Sequence, residues 1–349
     1  MNRKTKYIAV AACLIIALLL SALTTGNVEV DSGYKLTMGT FARIVAIAPN
    51  SRLAEKSIEA AFAAQQQIET LMSYHRPDSE LNKVNDKAFE HPVTVHPMTF
   101  KVLQSAVEFS KHSEGAFDVT IGPLVNLWRQ ASDTNTPPTE EEIAQARSTV
   151  GYEKLILDPN ELTVRFATSG MKLDLGGIAK GYAIDRSVQA MRDSGAIGGM
   201  VDIGGDISCF GSPRKGKPHW LIGLQDPNKP DGNTVQSDTL LVLKLAATAD
   251  SEISVATSGN YQRFAVIKGK RHSHIIDTQS GDSSDKLASV TIIATNATTA
   301  DALATAVSVL GVEKGMKLIE ETPNTEAILI PAAIPVQLIK STGAEGYIK

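Results

Sequence analysis

The sequence predicts an α+β fold. Three observations lead there: amphipathic helical periodicity dominates the first half, short strand-like runs gather from Lys154 onward, and their order is too irregular for a strict β-α-β alternation. With 349 residues, 43% hydrophobic and 21% charged, the chain has enough apolar material for a sizeable core. The expected organisation is an N-terminal segment, residues 1–30, followed by one large unit, residues 31–349.

The first thirty residues differ in composition from the rest. Arg3, Lys4 and Lys6 precede an apolar run from Tyr7 to Leu23, and no acidic residue occurs before Glu29. A basic flank before a hydrophobic stretch is an export pattern, and this stretch has the lowest length that spans a bilayer. The basic flank would stay cytoplasmic, sending the remainder outward. Val10-Ala11-Ala12-Cys13 also resembles a lipobox, but only a short apolar run precedes Cys13, so an uncleaved anchor or ordinary cleavage ranks above lipidation. The expected location is the periplasmic side of the inner membrane.

Along the exported part, Ile58, Ala61, Phe62, Gln65, Ile68, Leu71 and Met72 recur at helical spacing between Ser51 and Ser73. His75 to Asp86 reads as a polar loop. Pro97 at a first-turn position opens a second helix bearing Val102, Leu103, Ala106 and Val107, with Gly115 placed to end it. Ser132 to Pro138 reads as a surface loop, and Thr139-Glu140-Glu141-Glu142 as a capping box for a third helix. Leu155–Leu157 and Leu162–Phe166 flank Asp158-Pro159-Asn160, a hairpin pattern. A helix follows Gly177, with Ile184, Val188 and Met191 on one face, closed by Gly195. Strand-like runs are Met200–Ile203, Leu221–Leu224, Leu240–Leu245, Phe264–Ile267, His274–Ile276 and Val290–Ala294. Thr298 or Thr299 should cap a helix to Leu310, with a shorter helix and two strands near Ala327 and Val336 to finish.

Composition narrows the partners. The net charge of −4 is small, and no lysine or arginine stripe follows a phosphate backbone, which argues against nucleic acid. The two cysteines, Cys13 and Cys209, leave the exported unit without an internal disulfide unless Cys13 is retained nearby.

Several segments bear on chemistry. In Lys172-Leu173-Asp174-Leu175-Gly176-Gly177-Ile178-Ala179-Lys180, a strand enters two glycines and then a helix, so backbone N–H groups could approach a phosphate; an ordinary tight turn with a surface lysine explains the same residues. Asp202-Ile203-Gly204-Gly205-Asp206 brackets a diglycine with two carboxylates that could face a ligand, although the pattern is common in plain hairpins and that reading is favoured. Asp301 and Thr305 lie four apart on one face of a predicted helix, a carboxylate and a hydroxyl that suit a hard cation such as Mg²⁺. A first-turn carboxylate interacting with the helix dipole would explain Asp301 alone. His272, His274 and Ile276 would share a strand face. There His274 could act as general base, form half of a zinc site, or be structural. Gly115 to Leu124 is either a helix stop with a buried strand or a loop that approaches a ligand.

Taken together, these segments resemble the ApbE family, the FAD:protein FMN transferases. The match is collinear from about Tyr34 to the C-terminus: Met38-Gly39-Thr40, Met72 to Leu81, Gly115-Ala116-Phe117-Asp118-Val119-Thr120, Asp174 to Tyr182, Ile203-Gly204-Gly205-Asp206, Ala256-Thr257-Ser258-Gly259, His274-Ile275-Ile276-Asp277 and Ala300 to Thr305. The resemblance implies an ApbE-like, T-fold-like arrangement of mixed sheets with packed helices forming a single catalytic unit. It implies FAD contacts at Met38, His75, Ala116, Phe117, Asp118, Asp174, Lys180 and Ile276. It places magnesium on the Gly177 carbonyl with Asp301 and Thr305, and carries the base role to His274.

The implied reaction is Mg²⁺-dependent transfer of FMN from FAD to a threonine or serine hydroxyl of an acceptor flavoprotein, such as a redox-pump subunit, with release of AMP. Two other outcomes use the same residues: an FAD pyrophosphatase, with water as acceptor, and a periplasmic flavin-binding protein without chemistry. The chain departs from the family pattern at three places. His75 stands where tyrosine is usual, Asp277-Thr278-Gln279-Ser280-Gly281 replaces Asp-Pro-Arg-Thr-Gly, and Arg129 occupies a position where glycine is common.

Overall fold

The computed structural model describes residues 26–213, 217–227, 239–259, 264–332 and 337–349. The expected anchor Tyr7–Leu23, the lipobox at Cys13 and the strand near Val336 lie outside the described residues. Among the described residues no helix is long and apolar enough to cross a membrane.

The framework is an eight-stranded sheet in the order β1-β2-β6-β7-β10-β13-β14-β15, with every pairing antiparallel. Its strands are β1 (Val28–Thr37), β2 (Thr40–Ala48), β6 (Gly198–Ile203), β7 (Asp206–Phe210), β10 (Glu252–Gly259), β13 (Leu287–Ala294), β14 (Thr325–Pro331) and β15 (Ile339–Lys340). Alternation along β2 assigns its faces: Ile44, Ala46 and Ala48 belong to the main core, whereas Val45 and Ile47 belong to a second core behind the sheet. Both faces are therefore covered, and the central strands read as continuous apolar runs. The second core is closed by the hairpin β8 (Trp220–Gln225) and β9 (Thr239–Leu245), through Trp220, Ile222, Leu243 and Leu245.

Helices cover the other face. α1 (Ser51–Met72) packs on α6 (Ala179–Asp193), and α6 on α7 (Ala297–Leu310), which lies against β10 and β13. α8 (Val312–Glu321) packs on α7 and β14. Ala61 and Ile68 of α1, Ile184, Val188 and Met191 of α6 and Ala300, Ala304 and Val307 of α7 form this layer with the sheet. Small residues on α7 allow the helix to lie close to the strands.

The remaining elements are α2 (Glu80–Lys87), β3 (Val93–Thr94), α3 (Pro97–His112), α4 (Gly122–Thr134), α5 (Glu140–Ser148), the hairpin β4 (Leu155–Asp158) and β5 (Thr163–Phe166), and the hairpin β11 (Phe264–Ile267) and β12 (Lys270–Ser273).

Several local expectations hold. Thr139 and Glu142 form the capping box of α5, Pro97 opens α3, and Asp158–Leu162 turns the β4–β5 hairpin. Others need correction. The expected loop His75–Asp86 contains α2, capped by Ser79 Oγ accepting from Asn82 N at 3.1 Å. The expected loop Ser132–Pro138 starts within α4, so only the residues after Thr134 are loop. The cap of α7 is Asn296, whose Oδ1 accepts from Thr299 N at 2.8 Å, rather than Thr298 or Thr299. The expected strand His274–Ile276 ends early, because pairing with β11 stops at Ser273; Ile276 makes only an isolated bridge to Ser283.

Candidate active site

One cavity of about 400 Å³ opens where the ends of several elements meet. Thr40 comes from the β1–β2 hairpin, Gly204 from the β6–β7 turn, and Thr257, Ser258 and Gly259 from the end of β10. The segment Ala116–Ile121 precedes α4, the diglycine precedes α6, and His274–Thr278 follows β12. Asp301 and Thr305 project from α7.

The strand-to-helix turn is built locally. Asp174 Oδ1 accepts from Gly176 N at 2.8 Å, while Asp174 N donates to Val119 O at 2.8 Å. These bonds bring the Gly115–Thr120 segment against the diglycine. Gly177 must lack a side chain, since a Cβ there would lie 2.9 Å from Thr305 Oγ1 and 3.3 Å from the Phe117 ring. The same close approach continues at Gly181, where a Cβ would strike the Ala297 carbonyl and come within 2.8 Å of Thr298 Cα. The two helix starts are tied together polarly as well. Gly181 N donates to Asp301 Oδ2 at 2.9 Å, and Asp185 of α6 accepts from Ala297 N at 2.7 Å and Thr298 N at 3.0 Å, capping α7 from outside.

Asp301, 3% exposed, is not the first-turn surface carboxylate that a simple helix-dipole explanation would need. Burial pushes its carboxyl up to about 6, the Lys180 ammonium opposing this and the Asp206 carboxylate adding to it. Lys180 Nζ is ion-paired with Asp206 and lies 4.0 Å from Asp301 Oδ1. Asp206, 2% exposed, also accepts from Thr257 N at 3.1 Å through Oδ1. The diglycine hairpin is a plain turn in its backbone, as its sequence allowed, with Gly204 and Gly205 at positive φ. Its second carboxylate nevertheless joins the charge cluster of the site.

Of the residues singled out in the sequence, His75, Ala116, Phe117, Asp118, Asp174, Gly177, Lys180, His274, Ile276, Asp301 and Thr305 all line the cavity. Met38 does not; it sits at the β1–β2 turn with φ 48°, two residues before Thr40, which does. Asp118 is near the cavity by position, but its carboxylate is turned into the protein: Oδ1 accepts from Thr120 N and Oγ1, both at 2.8 Å, and Oδ2 from Tyr152 N at 2.8 Å. Burial raises its carboxyl above the ordinary range against the pull of those bonds. His274 is exposed at the cavity wall, whereas His272 is buried, its ring 4.9 Å from that of Trp128. Because β12 ends between them, the two histidines do not share a strand face.

Sequence reasoning named Asp206 only within a diglycine turn favoured as a plain hairpin, and Arg129 only as a departure from the family pattern, so neither was nominated for the site. Arg129 lines the cavity from α4, its guanidinium 5.0 Å from the Tyr74 ring centroid, and Tyr74 OH donates to Asn126 Oδ1 at 2.6 Å. α4 itself was unread, although Pro123 at its first turn was a usable signal. Among the described residues no group of three or more histidine, cysteine, aspartate or glutamate side chains could hold a metal.

The ApbE family model matches residues 38–329. The chain belongs to the ApbE family. Among curated ApbE relatives, the FAD:protein FMN transferase of Treponema pallidum is 33% identical over 85% of this chain and 83% of its own length. That of Vibrio cholerae is 34% identical over 73% of each. The crystal structure of the ApbE protein of Thermotoga maritima superposes with a TM-score of 0.79 at 31% identity, covering 93% of this chain and 99% of that one. The flavin transferase ApbE of Vibrio cholerae gives 0.76 at 29%, over 92% and 99%. The α+β arrangement of antiparallel sheets with packed helices is thus the ApbE fold.

Proposed function

We propose that this ApbE-family enzyme is an FAD:protein FMN transferase that works with Mg²⁺, joining FMN to a threonine or serine hydroxyl of an acceptor protein and releasing AMP. The observation that carries it is the convergence, in one cavity, of a glycine turn at a helix start, Lys180, Asp301, Thr305 and His274. The diglycine and the start of α6 favour phosphate oxygens, and Lys180 adds a positive charge beside them.

The fit of a hard cation rests on the donor set. The Gly177 carbonyl, an Asp301 carboxylate oxygen and Thr305 Oγ1 are all hard oxygens, and the missing Cβ of Gly177 keeps the space beside Thr305 open. When bound, Mg²⁺ would neutralise charge growing on the leaving phosphate. The chain's own groups do the rest. Walls from Ala116, Phe117, Ile121 and Ile276 limit water around the flavin half. His274 takes the proton of the acceptor hydroxyl as its oxygen attacks the FMN phosphorus in line. A P–O bond forms to the acceptor, the pyrophosphate bridge breaks, and its electron pair leaves with AMP.

The N-terminal export pattern supports a location on the periplasmic side of the inner membrane, with residues 1–30 or lipid on Cys13 as the tether. Redox-pump subunits or other exported flavoproteins fit as acceptors.

The test is mass spectrometry of exported proteins co-produced with this chain, alongside incubation of the purified chain with FAD and Mg²⁺. A threonine or serine bearing one added FMN supports transfer. Rapid FMN release without any acceptor indicates a pyrophosphatase instead. FAD that stays bound and intact with metal and acceptor indicates a flavin-binding protein.

A further inference from the structure

The charge cluster of Asp206, Lys180 and Asp301 contains a conflict that the proposed metal site must resolve. Two buried carboxylates face one ammonium. Lys180 Nζ pairs with Asp206 and stays 4.0 Å from Asp301 Oδ1, outside hydrogen-bonding distance. An ammonium settled on Asp301 would occupy the oxygen that a divalent cation needs. The three residues come from different elements, the first turn of α6, the start of β7 and the second turn of α7, so their distances are set by helix and sheet packing.

We infer that Asp206 is a positioning residue: it holds the Lys180 ammonium away from Asp301, keeping the Asp301–Thr305 edge open to a divalent cation while leaving Lys180 beside the phosphate end of the cavity. This inference rests on the metal assignment of the proposed function. Asp206 is suited to the role because it is itself anchored. Its Oδ1 accepts from Thr257 N at 3.1 Å, which fixes the carboxylate, and its other oxygen takes the ammonium. It does not line the cavity, so it acts through Lys180 and not on the substrate.

Removing the Asp206 charge leaves Asp301, 4.0 Å away, as the carboxylate in ion-pair range of Lys180, with Asp202 acting on it from further off. Closing their separation from 4.0 Å to hydrogen-bonding range strengthens the attraction by an amount worth about tenfold in an equilibrium constant at an effective dielectric of about 20. The metal must then displace a better-bound ammonium.

The experiment is Mn²⁺ binding to the purified, FAD-free full chain, followed by electron paramagnetic resonance of the free ion. Asp206→Asn keeps an oxygen for Thr257 N and is expected to raise the Mn²⁺ Kd about tenfold. The double variant Lys180→Met/Asp206→Asn is expected to return the Kd to the wild-type value or below, because the competing ammonium is gone. Lys180→Met alone should bind Mn²⁺ more tightly than wild type, a readout that survives if Asp206→Asn does not fold.

An unchanged Kd in Asp206→Asn overturns the inference. So does a weakened Kd that the double variant fails to restore, since Asp206 would then act on the metal or the fold directly. A wild-type chain with no Mn²⁺ site that Asp301→Asn removes would overturn the metal assignment itself, and with it this role for Asp206.

Discussion

Gly181→Ala offers the most direct test of how the site is held together. The glycine lies in the first turn of α6, against the start of α7, and an added Cβ would strike the Ala297 carbonyl, with Ala297 C at 2.6 Å and Thr298 Cα at 2.8 Å. All three atoms are backbone, so no side chain can rotate away. The only relief is to move α6 from α7. Overpacking of this kind costs about 1–3 kcal/mol, and backbone contacts put this site at the top of that range. Exchanging glycine for alanine inside a helix returns about 1 kcal/mol. The net loss is about 2 kcal/mol, which for a chain of this size lowers Tm by about 3 °C.

The same separation lengthens the bond from Gly181 N to Asp301 Oδ2, 2.9 Å in the native chain. Mn²⁺ affinity should fall together with Tm. Thermal denaturation by circular dichroism, with Gly346→Ala as control because nothing lies within 4 Å of its added Cβ, measures the first effect. A Gly181→Ala chain that melts with wild type and binds Mn²⁺ normally would refute the close-packed junction of α6 and α7.

Further expectations concern charge. Asp301→Ala should abolish FMN transfer, by at least about a hundredfold, yet retain FAD binding, since the lost stabilisation belongs to the transition state; wild-type labelling of an acceptor would rule out its metal role. His274→Ala should slow transfer by about 10²–10⁴ and leave Mn²⁺ binding intact; an unaltered pH–rate profile would remove it as base. Glu252, partly buried beside Arg192, has its carboxyl raised to about 7, chiefly by loss of solvent. A raised folded-state value means that the unfolded chain releases this proton first, so the contribution to stability is full below about 4.5 and declines as pH rises to about 7. Glu252→Gln should flatten that part of the stability–pH curve in urea titrations, and an unchanged slope would show that Glu252 does not cause it.

Features that depend on near neighbours in the chain were legible in the sequence. The capping box at Thr139 and Glu142, the apolar stripe of α1, the β4–β5 hairpin and the Asp301–Thr305 pair each rest on contacts within a few residues, where helical or strand geometry leaves little freedom. The order of the motif blocks carried the family, and the cavity collects nearly all the residues those blocks nominated. α2 was hidden because a short polar helix resembles a loop in composition, with its Ser79 cap as the signal, whereas α4 has no side-chain cap and its signal was Pro123 in the first turn.

What tertiary structure decided lies between segments more than a hundred residues apart or on strands paired across the sheet. Asp185 caps α7 at a sequence separation of 112, and Gly181 reaches Asp301 at a separation of 120. No periodicity encodes such pairs, because each residue's surroundings are set by how α6 and α7 cross. Asp206 shows the difference most clearly. Its sequence context is an ordinary diglycine turn, and only the packing of β7 against α6 and β10 makes its carboxylate the partner of Lys180.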